Sequence, residues 1–199
     1  MFDDEDEAEW DAAWAEVDRQ AAAVLRDACA TELALPPPHD PLLAAAASLR
    51  EGIAEGRQQH RYFVAACGWE AQTPEDDTEM WLGALAATLA PPNDPGTSAE
   101  EQSAVAALQH ADLLGMVVGL VRRGVGAVFS SEAVEHDIET MPEIEDESED
   151  SDDFDAFRMP VVVLAPLWQA LGVLDDDDRL TELGRWGLPR ALLSTWSKS

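Results

Sequence analysis

Lysine is almost missing from this chain. Lys198 is the only one, beside eleven arginines, and these twelve bases face 41 acids for a net charge of −29 at pH 7. A chain so short of positive charge repels phosphate backbones and anionic lipid headgroups at long range. It favours basic partners, cations or plain hydration, and it argues against nucleic acid. Cysteine is equally scarce: Cys29 and Cys67 are the only two, with no CxxC spacing, and each falls in an apolar helical pattern. Reduced, buried thiols in a cytoplasmic protein are the expectation. Long apolar runs are lacking too. The longest, Leu113 to Val121, is far short of the roughly 20 residues that a membrane-spanning helix needs. The N-terminus is acidic where a secretory signal carries positive charge. GxSxG, the phosphate-binding P-loop and GxGxxG after a strand are all missing, so neither an enzyme nor a bound cofactor is expected.

What is present points to a folded protein. Apolar residues make up 46% of 199, and seven tryptophans supply large anchors for a core. The acids are clustered: Asp3 to Glu9, Glu75 to Glu79, Glu143 to Asp155 and Asp175 to Asp178 hold 23 of the 41. Solvated tails, turns and linkers account for such runs. Abundant alanine and arginine in place of lysine suggest a high-GC genome, such as an actinobacterial one; a halophile also fits the acidity.

Residues 1–7 read as a disordered acidic leader. Trp10, Trp14, Val17, Ala21, Val24, Leu25 and Ala28 then recur at helical spacing, and Pro36-Pro37-Pro38 ends that stripe. Asp40-Pro41 reads as a cap and first helical residue. The helix behind it carries Leu42, Leu43, Ala46, Leu49 and Ile53, and is predicted to continue through His60, Phe63 and Cys67 to Gly68. A shorter helix follows from Met80 to Ala90, capped by Asp77 or Thr78. This helical N-terminal region spans 8–90, and the Pro/Gly-rich stretch 91–97 is the linker after it.

The second part spans 98–199. Ser98 to Glu101 is a capping box opening a long helix through Leu120, with Arg122 and Arg123 in its last turn. Ser130 or Ser131 caps a short helix to Glu139. An acidic insert fills 143–155. Val161 to Leu164 reads as extended and a helix as starting at Ala165, because Pro166 interrupts the run. Asp175 to Asp178 is a turn, Arg179-Leu180 a minimal strand, and Thr181 caps a helix that Gly187 and Pro189 break.

The run Leu171-Gly-Val-Leu-Asp175, an acidic turn, then Arg179-Leu-Thr-Glu-Leu-Gly184 resembles the ending of bacterial winged helix-turn-helix domains. It also resembles the C-terminal segment of uncharacterised actinobacterial proteins. The resemblance implies a mainly α fold: a helical N-terminal part and a winged-helix-like module with a minimal β wing. The usual activity of such domains is DNA binding, through a polar, basic third helix. Here that helix reads PVVVLAPLWQAL, with Gln169 its only polar side chain, and the wing tip bears four aspartates.

We therefore expect a non-enzymatic acidic interaction or regulatory accessory protein, with a winged helix that does not read DNA directly. Trp168, Trp186 and Trp196 are the candidate partner-contact residues, with core as the competing reading. A DNA-binding transcriptional regulator and a DNA-mimic inhibitor are the alternatives. His39-Asp40, His136-Asp137 and His110-x-Asp112 resemble fragments of a metal site but lack the surrounding signature. Asp175 to Asp178 fails the EF-hand pattern at Arg179 and Leu180. No metal or cofactor is expected.

Overall fold

The structure, a computed structural model, describes residues 4–69, 72–89, 110–140 and 158–196. Among these it is almost wholly helical, in nine helices: α1 (Asp4–Ala28), α2 (Ala30–Ala34), α3 (His39–Glu55), α4 (Gln58–Ala66), α5 (Asp77–Leu89), α6 (His110–Arg123), α7 (Ser131–Glu139), α8 (Arg158–Ala170) and α9 (Glu182–Trp196). The capping box at Ser98, the linker 91–97 and the insert 143–155 lie outside the described residues.

α1 begins inside the acidic leader, so residues 4–7 are helical and not a disordered tail. Carboxylates in a first turn suit the positive end of the helix dipole. Ala21, Ala22 and Leu25 carry its stripe into the core; the side chains of Trp10 and Trp14 lie outside the described residues. The single helix expected from 40 to 67 is two. Gly56 takes the left-handed conformation (φ 66, ψ 34) and its N–H donates to Gly52 O and Ile53 O, closing α3. α3 begins at His39, with no side-chain cap from Asp40. α5 is capped by Asp76, one residue earlier than expected, whose Oδ1 accepts from Glu79 N at 2.7 Å. Ser130 caps α7 as expected, accepting from Ala133 N at 3.3 Å.

Two prolines expected to break helices do not. α8 runs through Pro166, and α9 through Gly187 and Pro189. A proline removes the bond to the carbonyl four residues back. Val162 and Pro166 are both exposed, so α8 loses its bond on the water-facing side. Burial of Val161, Leu164, Leu167 and Trp168 on the other side holds the helix together. In α9, buried Leu183, Trp186, Leu188, Ala191 and Leu192 do the same.

Three short extended stretches lie side by side. Val128 bridges antiparallel to Arg179, and Leu174 to Leu180. Gly126 N donates to Leu180 O at 2.8 Å, Leu180 N to Ala127 O at 2.8 Å and Asp175 N to Arg179 O at 2.9 Å. Thr181 then caps α9, its Oγ1 accepting from Gly184 N at 3.0 Å. Gly184 lies directly on the Val173 carbonyl oxygen, where a Cβ would not fit.

The core is one contiguous cluster drawn from both sides of the linker. α9 packs against α1, α2, α3, α5 and α6. Trp81 of α5 donates its indole N–H to Leu171 O at 2.8 Å, and Trp168 of α8 donates to Thr88 Oγ1 at 2.9 Å. No helix among the described residues is long and apolar enough to cross a membrane.

Candidate interaction surface

α8 buries one face and leaves the opposite one bare. Val162, Pro166 and Gln169 fall at i, i+4 and i+7, one stripe about 10 Å long. Val162 is 58% exposed. The stripe ends at the acidic turn: Gln169 Nε2 donates to Asp178 Oδ1 at 3.0 Å. Among the described side chains of this face, the polar one is thus turned along the protein surface.

The turn itself is well braced. Asp175 Oδ1 accepts from Asp177 N at 3.0 Å and Arg179 N at 2.9 Å. Asp178 takes a positive φ of 56°, which aspartate tolerates better than most residues. Asp175, Asp176 and Asp177 are exposed, so the outer surface beside the apolar stripe is negative.

Among the described residues, Arg123, Arg179 and Arg185 are each committed to other groups. Arg123 donates through Nε and Nη2 to Asp137 Oδ2 at 3.1 and 2.8 Å, and through Nη1 to Val128 O at 2.9 Å. Burial pushes the Asp137 carboxyl above its ordinary range, while the Arg123 hydrogen bond and charge pull it back. Arg179 reaches Gly126 O at 3.1 Å. Arg185 is turned to α2, its Nη2 2.6 Å from Glu32 Oε1. The side chain of Arg158 lies outside the described residues.

The three candidate contact tryptophans are interior in this chain. Trp168, Trp186 and Trp196 are 0%, 4% and 8% exposed. Trp168 stacks 4.7 Å from Phe129, and Trp186 donates to Leu35 O at 3.2 Å. Their large rings anchor the core, and this burial favours the competing reading. The histidine pairs do not converge: His39 and His136 are exposed, His60 is buried, and Asp137 is held by Arg123. No group of three His, Cys, Asp or Glu set to hold a metal occurs among the described residues.

Two clefts are open to solvent. One, of about 200 Å³, surrounds the Arg123–Asp137 pair. The other, of about 420 Å³, lies between α4, α5 and the end of α9, with Cys67, Trp69, Glu79 and Thr195 on its walls. The Cys67 thiol donates to Gly83 O at 3.6 Å.

One polar cluster carries no signature in the sequence. Arg190 donates to the carbonyls of Glu32 (3.0 Å), Leu33 (2.9 Å) and Leu35 (2.8 Å), and lies 4.5 Å above the Trp186 ring. It closes the C-terminal end of α2, where a cation suits the dipole. Burial lowers its pKa. The nearby Cys29 thiol is pushed up to about 12, first by burial and then by the Glu32 charge.

Searches against protein-family models, curated proteins and solved structures return no match to this chain.

Proposed function

We propose that residues 98–199 form a winged-helix-like module that no longer reads DNA, and that the chain is a non-enzymatic acidic accessory protein contacting a basic protein partner. The order α6, stretch 126–129, α7, α8, extended pair around the aspartate turn, α9 supports the first half of this reading. One observation carries the second half. The outward stripe of α8 offers Val162 and Pro166, and the polar group among its described side chains, Gln169, is spent on Asp178. A groove-reading helix needs donors and cations at these positions. Four carboxylates occupy the adjoining turn, where a wing that grips phosphates carries bases. The same surface suits a partner with an apolar patch flanked by Lys or Arg. The contact role thus moves from the tryptophans to Val162, Pro166 and the turn.

The test is fluorescence anisotropy of the full chain with mixed-sequence duplex DNA in 20 mM and 200 mM salt. No binding is expected at either. A complex at low salt that weakens by about 10³-fold or more across that range would mark about three or more phosphate contacts and overturn the proposal.

A further inference from the structure

The corner between α3 and α4 holds a histidine in a slot fit for an apolar side chain. His60 is 4% exposed, and neither Nδ1 nor Nε2 has a hydrogen-bond partner. One side of the ring meets the Phe63 ring edge-on, at 5.9 Å and 89°. Its other side fills the space over Gly52, where a Cβ would overlap Cδ2, Nε2 and Cε1. A neutral imidazole wastes one donor and one acceptor in such a place. An imidazolium has two donors and a full charge, and needs water or an acceptor.

We propose that the α3–α4 corner is an acid-released joint: protonation of His60 turns the ring out of its slot against Gly52 and frees α4 from α3 and α8.

The surrounding charges do not prevent this. Burial is the main influence on the ring and disfavours its charged form; Arg57, at the start of α4, adds to that, and Glu55, at the end of α3, opposes it. On α3, Arg50 is committed to Asp77 at 2.9 Å, and Glu51 lies 3.5 Å from Arg57. On α4, Arg61 donates to Gly56 O at 3.0 Å. α5 carries Asp77 and Glu79 in its first turn, and Arg158, the first residue of α8, is that helix's only ionisable side chain. The proton therefore stabilises the open corner, where water reaches the ring. Opening uncovers Phe63, fully buried in the closed state, and the part of α8 that α4 touches. The joint stands on this geometry alone and does not require the proposed partner.

Hydrogen exchange of the full chain at pH 7.5, 6.5 and 5.5, corrected for intrinsic rates, tests it. The opening constant of the amides of 58–67 should rise about tenfold per pH unit below roughly 6.5, ahead of α5 and α9. His60→Leu should flatten that dependence. Equal protection of α4 at all three pH values, or the same acid response in His60→Leu, overturns the proposal. Should that variant not fold, the Cε1–H resonance of His60 in the native chain decides. Titration below about 6.5, the ordinary histidine value, in step with α4 opening, supports the joint; titration at or above that value overturns it.

Discussion

Gly184→Ala sets two physical effects against each other. In a helix interior alanine is better than glycine by about 0.5–1 kcal/mol, because glycine loses more backbone freedom on folding. Gly184 is the third residue of α9, and by that reasoning alone the variant gains stability. The structure gives the opposite sign. An added methyl would press on the Val173 carbonyl oxygen and on Leu180 Cδ1 at 2.8 Å. Backbone cannot rotate aside as a side chain does. Val173 O also accepts from Thr181 N at 3.0 Å, so its displacement strains the bond between the extended pair. Overpacking against such a wall costs about 1–3 kcal/mol, leaving a net loss near 1–2 kcal/mol after the alanine gain. Gly83→Ala in α5 is the control. There the nearest atom to a new Cβ is Trp69 Cζ2 at 3.5 Å, an ordinary contact. Only the propensity term remains, for a gain of about 0.5–1 kcal/mol. Urea denaturation of both variants, followed by helical circular dichroism, reads the difference. With a slope of about 2 kcal/mol per molar, Gly184→Ala should shift its midpoint down by about 0.5–1 M and Gly83→Ala up by less than that. A Gly184→Ala midpoint at or above the wild type would refute the close approach of α9 to the turn.

Thr88→Val should destabilise by about 1–3 kcal/mol, since it strands the buried Trp168 N–H; adding Trp168→Phe should return less than a second full penalty, and strict additivity in the urea midpoints would deny the bond. Burial pushes the Cys29 thiol up to about 12, so almost none of it is thiolate at neutral pH. Iodoacetamide under native conditions should label Cys67 first and Cys29 only after unfolding; equal labelling on mass spectrometry would contradict the burial of Cys29. His60 is lowered in the fold, so its contribution to stability is complete above about pH 6.5, the unfolded value, and falls with acid by up to about 1.4 kcal/mol per pH unit until the folded pKa is reached. The wild-type urea midpoint should therefore fall relative to that of His60→Leu between pH 7.5 and 5.5; parallel curves would show that another group carries the acid response.

Apolar spacing made the helices legible, and local chemistry marked many of their ends. Ser130 and Thr181 were readable as caps because a hydroxyl before an apolar run satisfies the first amide groups of a helix. Gly184 was readable as a close approach from its place after that cap. The prolines misled. A local rule sees the hydrogen bond that Pro166 and Pro189 remove, but not the tertiary burial of Trp168, Trp186 and Leu188 that outweighs it. Gly56 lies within the single helix expected from 40 to 67, and its left-handed conformation makes it the end of one helix instead. For the candidate surface, the apolar character of α8 and the acid of its neighbouring turn were plain in the sequence. Which α8 residues face water was not, because that depends on α4 and α5 packing on its other side. The tryptophans looked like contact anchors from size alone, and partners 80 or more residues away, such as Thr88 and Leu35, made them core. The Arg190 cluster was invisible for the same reason: its acceptors are backbone carbonyls, which every sequence has.

Under the proposed function, the packing of α9 bears on why a winged-helix-like module could lose a groove-reading helix without losing its fold. A module that lies on DNA must present its third helix away from its own body, with enough independent core to stay folded. Here the last helix is shared. Trp186 and Leu188 of α9 lie against a body that includes α1, α2, α3 and α5, and Glu32 of α2 holds Arg185 across the junction. Stability is thereby drawn from the N-terminal helices and asks nothing of the exposed stripe of α8. Under the proposed function that stripe is free to change its chemistry, and Val162 and Pro166 record such a change. The charge of Asp176 and Asp177 on the neighbouring turn is equally unconstrained by the core, because both are exposed and water weakens repulsion between exposed charges to about 1 kcal/mol at 4 Å. The acidity of this turn therefore costs the fold little, and the proposed function assigns it the selection of a basic partner over a phosphate backbone.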